Sequence, residues 1–558
     1  MIAIVEAAKA GFLQPCYWRQ NILAGLVVSI IAVPLSMAFA IASGVDPVQG
    51  LHTAIIASLC VALFGGVRVQ ITGPTSAFII ILASIHVKYG FEGLQLSCFM
   101  AGIILVFMGL LRLGSIIKFI PDPVIIGFTS GISIVMWIGQ WKEFFGLDMP
   151  NVVCHFHEKL GLLIKSFPTV DPASTFMGMS SLAVMIHSKR CFKKIPAPLV
   201  ALIFGILLQF FCQFEHVRTI GSVFGGIPQT WPKMGLPLVS FAHMMELIGP
   251  AFTVALLGAL ESLLAAMVID GMRGTRHDSN QELIGQGIAN MASPFFGGIA
   301  ATGSIARSIA GIRAGGNSPL MGIVHSLALI LIIACFAPLA KHVPLATLSA
   351  ILFVIAYDMS NIPRFWFSIK HLPKSDNCVL FLTFFLTIFS DLVVAVNIGV
   401  LLSTLIFMAH MSRTFQLHGY APKTSEELPN HELLPDGMMV YEIHGPFFFG
   451  AVETFERTMK TVRADVRILF LRLKDVPFID STGLQALRKT IQICSKRNVR
   501  IILCEAEDKV GKKISRASIE DALGNSSLKQ TFREAVALAE SSGLEKELLE
   551  NTPGEEIP

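Results

Sequence analysis

The distribution of apolar residues divides the chain into two parts. From about residue 22 to residue 409, long apolar segments follow one another, separated by short polar connections. A run of about 20 residues with few charges is typical of a membrane-spanning helix. The pattern predicts fourteen spans, ten clear and four that are short or interrupted by glycine. The clear spans are 22–44, 51–66, 94–111, 123–141, 172–187, 196–214, 247–270, 318–340, 376–391 and 393–410, and the others are 70–86, 283–295, 299–312 and 344–357.

The charge distribution supports the same division. Residues 438–558 contain 18 Lys and Arg and 18 Asp and Glu, out of 43 and 39 in the whole chain. Hydrophobic residues make up 53% of the chain and charged residues 15%, which is typical of membrane proteins. We therefore predict a polytopic α-helical membrane protein with a cytoplasmic α/β domain. The predicted parts are a cytoplasmic N-terminus (1–20), a transmembrane domain (21–411), a linker (412–437), the α/β domain (438–541) and a disordered tail (542–558).

The loops between the spans predict the orientation. If the N-terminus is inside, the inner loops carry thirteen Lys and Arg and the outer loops carry seven. This asymmetry agrees with the positive-inside rule and predicts that both termini are cytoplasmic. The first twenty residues show no cleavable signal peptide, so we expect a multi-pass protein of a bacterial inner (plasma) membrane. The net charge of +4 is too small and dispersed to predict nucleic acid as a partner.

Several kinds of chemistry have no support in the sequence. The ten cysteines include no CxxC pair, which argues against a disulfide framework or a structural zinc site. No glycine-rich phosphate loop, HExxH or GxSxG motif occurs. We therefore expect a protein that is not an enzyme, is not driven by ATP and uses neither a metal nor an organic cofactor.

Glu261 is the one charged residue in the apolar stretch 248–269. A charge inside a membrane span costs several kcal/mol unless it faces protein or water. Because burial in a low dielectric favours the neutral carboxyl, Glu261 is a candidate proton carrier. Sodium is an alternative ion, since oxygen ligands suit hard cations. A structural acid that is hydrogen-bonded inside the protein is the other interpretation.

Two segments of the chain resemble each other, 65–77 at the third span and 297–308 at the tenth. Each runs from Gly-Gly through a few residues that can be extended to Thr-Gly and a small polar helix start. Seven spans separate them, so the two face opposite ways across the membrane. Thr72 and Thr302 are candidate helix caps, and Arg307 adds a positive charge. Half-helix N-termini that meet in a membrane favour an anion, although small residues also serve simply for close helix packing.

These motifs resemble those of the SulP family of anion transporters, of the sulfate permease type. The resemblance covers essentially the whole chain and is carried by the segments 24–44, 72–78, 123–131, 282–290 and 303–308. It implies two inverted seven-span repeats (about 21–214 and 245–411), divided into core and gate domains that move like an elevator, usually in a homodimer. It places Glu261 at the position of the coupling ion. The anion site that it implies comprises Thr72, Gly73, Thr75, Ser76, Ala77, Thr302, Gly303, Ser304, Ala306 and Arg307.

Within the family, the segments 257–264, 270–275 and 292–298 most resemble those of bacterial C4-dicarboxylate transporters. The sequence therefore predicts proton-coupled uptake of C4-dicarboxylates such as succinate. Sulfate or bicarbonate with proton or sodium coupling is the alternative, and both symport and exchange remain open. Two positions depart from many members, which have Gln in place of Leu35 and Asn in place of Gly311. Leu35 removes a polar group that could orient a substrate, and Gly311 is expected only to loosen the tenth helix.

The C-terminal part alternates strand and helix signals. Strands are predicted at 438–443, 467–473 and 499–504, and helices at 452–462 and from about 481 to 495. The pattern resembles a STAS domain, in whose soluble relatives the residue matching Ser481 is phosphorylated. Ser481 or Thr482 is also a candidate helix cap. A cytoplasmic regulatory protein is therefore an expected partner, besides a small inorganic or carboxylate anion and membrane lipid. A membrane anion sensor that signals through this domain is the alternative of another class.

Overall fold

A computed structural model of the 558-residue chain describes most of its length. The described residues are 2–115, 121–149, 156–191, 196–226, 235, 241–390, 392–420, 437–463, 465–519, 523 and 528–541. The predicted disordered tail and most of the predicted linker lie outside them. The chain forms two compact units, Met1–Leu401 and Leu402–Pro558.

The first half of the membrane unit is helical, with one short extended segment. Its third span begins as an extended pair of residues, continues through the 3-10 turn Ser76–Phe78 and then enters a long helix. The elements are α1 (Ala3–Lys9), α2 (Pro15–Ala42), α3 (Pro47–Phe64), β1 (Thr72–Gly73), α4 (Ile79–Leu110), α5 (Asp122–Gly139), α6 (Trp141–Phe144), α7 (Phe156–Ser166), α8 (Pro172–Cys191), α9 (Ala197–Cys212) and α10 (Ile220–Phe224).

The second half repeats this arrangement, again with one extended pair ahead of a short helix. Its elements are α11 (Phe241–Arg273), α12 (Ser279–Phe295), β2 (Thr302–Gly303), α13 (Ile305–Arg313), α14 (Leu320–Ala340), α15 (Leu345–Ser360), α16 (Ile362–His371), α17 (Lys374–Phe389) and α18 (Leu392–Arg413). Seven helical segments among the described residues are long and apolar enough to cross a membrane. The predicted polytopic helical fold is therefore confirmed.

Each of the fourteen predicted spans has a helical counterpart, although the third and fourth are joined. Both lie in α4, where Gly90 has a φ of 70° and interrupts the helical backbone. Glycine adopts this left-handed region without steric cost, so a single residue can divide one long helix into two spans. The shorter elements α6, α7, α10 and α16 were not predicted, because they lie in the connections between apolar segments.

The helices of the membrane unit pack into two groups. The first helix group comprises α2, α3, α4, α11, α12, α13 and α14, and the second comprises α5, α8, α9, α15 and α17. Within the first group, α4 and α12 approach closely at Gly102 and Gly287. A Cβ on either glycine would lie 2.6–2.7 Å from the other's carbonyl oxygen. Small residues permit such close helix packing where lipid replaces water.

The second unit is an α/β domain, as predicted. Its strands are β3 (Gln416–Tyr420), β4 (Met438–His444), β5 (Ile468–Asp475) and β6 (Arg500–Cys504), and its helices are α19 (Phe449–Lys460), α20 (Ser481–Lys496), α21 (Asp508–Arg516) and α22 (Phe532–Ser541). The sheet order is β3-β4-β5-β6, with β3 antiparallel to β4 and the other two pairs parallel. Helices cover the sheet and bury large apolar side chains such as Phe455 and Leu487.

Candidate functional site

The two Thr-Gly segments meet as a two-stranded antiparallel ladder in the first helix group. Thr72 is paired with Gly303, and Gly73 is paired with Thr302. The segments that resemble each other in sequence are therefore neighbours in space, related as an inverted pair. After each strand the backbone turns into a helix, so the two helix N-termini lie on either side of the ladder.

The expected threonine caps are wrong. Thr72 and Thr302 lie in the strands, and the helices begin only at Ser76 and Ile305. Ser304 caps α13 by accepting a hydrogen bond from the backbone N–H of Arg307. At the other half-helix, the residue in the cap position is Thr75, whose side chain makes no capping bond. Its hydroxyl donates instead to the carboxylate of Glu261.

A hydrogen-bonded network of α12 side chains holds β1 in place. The side-chain amide of Gln286 donates to the hydroxyl of Thr72 at 2.9 Å and to the carboxylate of Glu282 at 2.8 Å. The other oxygen of Glu282 accepts from the backbone N–H of Gly66 at 2.9 Å. Both side chains are fully buried. Neither residue was predicted as part of the site, although an acid and an amide four residues apart in an apolar stretch were the available signal.

A matching network supports β2. The hydroxyl of Ser262 accepts from the N–H of Gly303 at 3.0 Å. Asn290 bonds to both the N–H and the carbonyl of Ala301, at 2.9 and 2.8 Å. Because buried backbone groups need partners, these side chains allow an extended backbone to exist in the middle of a helical membrane domain.

The carboxylate of Glu261 joins the two half-helices. It is on α11, and one of its oxygens accepts hydrogen bonds from the hydroxyls of Thr75 at 2.9 Å and Thr302 at 3.1 Å. Thr75 immediately precedes the first half-helix, and Thr302 lies in β2, just before the second. Glu261 is partly exposed, so it lies at the boundary between the ladder and open space. The sequence placed these three residues in one site without indicating this direct contact.

Arg307 does not point into that open space. Its side chain is 1% exposed, and its guanidinium donates to the carbonyl of Pro74 behind β1. A Cβ on Gly73 would lie 2.6 Å from Nη1 of Arg307, so glycine is needed there for the close approach. No ion pair joins Arg307 to Glu261 within the described residues, but their charges interact. The arginine therefore supplies positive charge to the two half-helices from the protein interior.

The predicted anion-site residues divide by exposure. Thr75, Ser76 and Ser304 are partly exposed and Ala306 is exposed, whereas Thr72, Gly73, Ala77, Thr302 and Gly303 are buried. The hydroxyl of Ser76 lies 3.2 Å from the sulfur of Met359, on α15 of the second helix group. The accessible surface therefore consists of the two helix starts and Glu261, facing the second group.

The electrostatics of this surface favour an anion. The first N–H groups of a helix have no carbonyl partner within that helix, and the helix dipole places partial positive charge there. Two such ends meet at the ladder, with the full charge of Arg307 behind them. Among the described residues, no cluster of three or more His, Cys, Asp or Glu side chains is arranged to hold a metal ion.

The two departures from the family pattern have structural explanations. Leu35 is buried in an apolar cluster that includes Leu51 and Leu352. The expectation that Gly311 only loosens the tenth helix is wrong. A Cβ at this position would lie 2.4 Å from the sulfur of Met321, so the glycine allows α13 to pack closely against α14.

In the second unit, Asp480 rather than Ser481 caps α20. Its carboxylate accepts from the N–H of Gly483 at 2.7 Å and also from the N–H of Phe449 at 3.2 Å. The expected capping by Ser481 or Thr482 is therefore wrong. Ser481 is exposed as the first residue of the helix, and its phosphorylation stays a prediction.

Comparisons with known proteins agree with this architecture. The model of the sulfate permease family matches residues 18–383, and that of the STAS domain matches residues 433–535. The putative sulfate transporter YvdB of Bacillus subtilis is 38% identical over 487 residues, which cover 87% of this chain and 91% of that protein. Bicarbonate transporter BicA of Picosynechococcus is 28% identical over 529 residues, which cover 90% and 91%.

A solved structure extends the likeness to the fold of the whole chain. The murine solute carrier 26 family member A9, an anion transporter solved in an inward-facing state, has a TM-score of 0.86 at 20% identity. The match covers 97% of this chain and 94% of that one. At this identity the likeness shows the fold alone. The family match, the relatives and the inverted Thr-Gly ladder lead to one conclusion: the chain belongs to the sulfate permease family of anion transporters and carries a C-terminal STAS domain.

Proposed function

We propose that the protein is a secondary active transporter that moves one small oxyanion together with one coupling cation taken up at Glu261. The anion binds at the N-terminal ends of the two half-helices, near Ser76 and Ser304, and a proton is the coupling ion. The observation that carries the proposal is the contact of one carboxylate with Thr75 and Thr302, which lie just before the two half-helices. A change at Glu261 is thereby transmitted to both sides of the anion site.

Charge balance favours a monovalent anion. Arg307 contributes one positive charge, and ionised Glu261 contributes one negative charge, so this pair is neutral before loading. Binding of one proton and one monovalent anion leaves it neutral again. A divalent anion would leave one uncompensated negative charge, which is costly in a low dielectric. Hydrogencarbonate meets this condition, and relatives named as bicarbonate and sulfate transporters support an oxyanion in general.

Other substrates and ions make different predictions. Sulfate or succinate would need a second coupling cation for the same balance, so the C4-dicarboxylate assignment stays a prediction that the relatives' names do not favour. Sodium could replace the proton, because the oxygens of Glu261, Thr75 and Thr302 converge within hydrogen-bond distance. Sodium carries the same charge as a proton and would leave the charge balance unchanged, so only measurement distinguishes the two coupling ions.

Movement of the first helix group past the second would carry the site across the membrane. Every residue of the ladder and Glu261 belong to the first group, and Ser76 contacts Met359 of the second. This arrangement supports an elevator mechanism. We also propose a homodimer in a bacterial inner membrane with both termini cytoplasmic, and regulation through the STAS domain.

Proteoliposome uptake tests the proposal. Labelled hydrogencarbonate, sulfate and succinate are compared under imposed proton or sodium gradients. We expect hydrogencarbonate uptake that depends on the proton gradient and that Glu261→Gln uncouples. Glu246→Gln is the matched control, because Glu246 is an exposed acid on the same helix. Gradient-driven uptake that survives Glu261→Gln would refute the coupling role, and uptake of only divalent anions would refute the substrate class.

A further inference from the structure

A cavity with several charged side chains in its lining lies beside the first helix group, away from the ladder. It has a volume of about 140 Å³ and is bounded by α1, residues 66–69, the end of α11 and residues 275–277. Residues 66–69 lead directly into β1. Three arginines line the cavity, namely Arg68, Arg273 and Arg276. The fold thus brings Arg68 together with Arg273 and Arg276, which are distant from it in sequence, around one partly open space.

The acids of this cavity already have partners. Asp270 accepts hydrogen bonds from the hydroxyl of Thr275 at 2.8 Å, and from the backbone N–H of His277 at 2.8 Å. Its carboxylate also lies 2.6 Å from Nδ1 of the His277 ring. Glu6 pairs with Arg68 at 2.6 Å. The two carboxylates are therefore committed to groups around the cavity and leave part of its positive charge uncompensated.

Arg273 and Arg276 carry this remaining charge. Arg273 donates to the carbonyl of Gly316, which is neutral, and its charge also repels that of Arg68. Arg276 is exposed at the rim and has no carboxylate partner within the described part of the chain. Like charges around one cavity raise its energy, and a bound anion would relieve this repulsion.

We propose that this cavity binds a phosphate group. Guanidinium groups recognise phosphate oxygens with paired hydrogen bonds, and the charge left at Arg273 and Arg276 suits an oxyanion. The volume is well below the roughly 300 Å³ of a site for a drug-sized ligand, so it fits the phosphate and not an attached nucleoside. The site is distinct from the half-helix ladder and does not depend on the proposed transport function.

The phosphate can be free in solution or part of a lipid headgroup. Arg273 is the last residue of a membrane-spanning helix, and the neighbouring Met267, Val268 and Met272 on that helix are exposed. Such apolar side chains suit contact with acyl chains, so a headgroup phosphate could reach the cavity from the membrane. A bound phosphate would connect the end of α11, at Arg273, to residues 66–69, at Arg68. The site is therefore positioned to stabilise residues 66–69, which directly precede β1 of the ladder.

Thermal unfolding of the full-length protein in a phosphate-free sugar detergent tests this site. The two probes are inorganic phosphate and a water-soluble lysophosphatidic acid, each titrated separately. We expect at least one probe to raise the unfolding temperature of the parent protein. Arg276→Gln should weaken that binding by about tenfold, the effect of losing one charge-assisted hydrogen bond. Arg313→Gln is the control, because Arg313 is exposed and does not line the cavity.

The outcomes distinguish a soluble source of the phosphate from a membrane source, and three of them overturn the proposal. Stabilisation by inorganic phosphate that Arg276→Gln weakens supports the proposal with a soluble source. Stabilisation only by the lysolipid, with the same loss, supports it with a membrane source. The proposal is overturned if neither probe stabilises the parent, if Arg276→Gln binds as the parent does, or if Arg313→Gln loses as much as Arg276→Gln. Phosphate binding at the ladder would not be weakened specifically by Arg276→Gln. The comparison of the two variants therefore separates binding in the cavity from binding at the ladder.

Discussion

Thr72 and Gly303 are paired directly across the antiparallel ladder, although 230 residues of sequence lie between them. The ladder is only two residues long on each side, so its geometry depends on the residues that pack around it. Gly303 has no room for a side chain, because a Cβ there would lie 1.8 Å from Nε2 and 2.7 Å from Cδ of Gln70. Gln70 is itself buried and donates to the carbonyl of Ser262.

Gly303→Ala is therefore expected to disturb the ladder. Overpacking of a buried site costs about 1–3 kcal/mol, and here the displaced group supports the anion site. We expect a lower unfolding temperature and at least a tenfold loss of anion flux. Adding Gln70→Ala removes the clashing side chain and should restore part of the flux. Gly249→Ala is the control, since open space surrounds that glycine. Equal flux in Gly303→Ala and Gly249→Ala would contradict the steric argument.

The two hydroxyls on Glu261 lead to a second prediction. Thr302→Val keeps the size of the side chain but removes its hydrogen bond to Glu261. A lost hydrogen bond to a charged group costs about 1.5–3 kcal/mol, so we expect a tenfold or larger fall in the efficiency of coupled uptake. Thr75→Val should act in the same direction. Uptake kinetics under a fixed proton gradient measure the effect.

Thr129→Val is the matched control for these hydroxyl replacements. Thr129 is also partly buried in a membrane helix, but its hydroxyl donates only to carbonyls of its own helix, such as that of Ile125. We expect this variant to retain flux within about a factor of two. A loss as large as that of Thr302→Val would mean that hydroxyl removal acts through general helix stability and not through Glu261.

Much of the site followed from local sequence patterns. The repeated Thr-Gly segments predicted two half-helices in opposite orientations, and a lone acid in an apolar span marked Glu261. The direction of the Arg307 side chain could not be predicted in this way. Whether it faces the opening or the interior depends on the close approach of Gly73 and on the carbonyl of Pro74, which come from a distant part of the chain.

The wrong capping assignments have a related cause. A threonine before a polar helix start resembles a cap, but in each half the chain remains extended through the Thr-Gly pair. That extension is favoured only because the other half supplies the opposite strand, which local sequence does not reveal. In the STAS domain, Asp480 and Ser481 are both good caps, and Asp480 takes the role because its carboxylate also reaches the N–H of Phe449.

A third prediction concerns this double cap. Asp480→Ala removes acceptors from the starts of two helices, α19 and α20, whereas Ser481→Ala removes an exposed hydroxyl. Loss of a cap costs about 0.5–2 kcal/mol. We expect hydrogen–deuterium exchange of the full-length protein to accelerate in peptides that cover the first turn of each helix in Asp480→Ala. Ser481→Ala should exchange as the parent does. Faster exchange in Ser481→Ala alone would favour the serine as the cap.

Glu282 and Glu261 are two acids in the first helix group with different surroundings. Glu261 is partly exposed beside the anion site, and its contacts are hydroxyls that can adapt to a protonated carboxyl. Glu282 is fully buried, and each of its oxygens accepts a hydrogen bond from an N–H group, one from the backbone of Gly66 and one from the side-chain amide of Gln286. We therefore expect Glu282 to position β1 and Glu261 to carry the coupling ion.

Glu282→Gln tests this difference. Its new amide places N–H donors against one of the existing N–H donors, which costs about 1–3 kcal/mol and should displace the Gln286–Thr72 contact. We expect slower anion uptake with an unchanged ratio of protons to anions, measured together with a pH-sensitive dye and labelled substrate in the same vesicles. Glu261→Gln should instead abolish proton movement. A changed ratio in Glu282→Gln would give Glu282 a direct part in coupling.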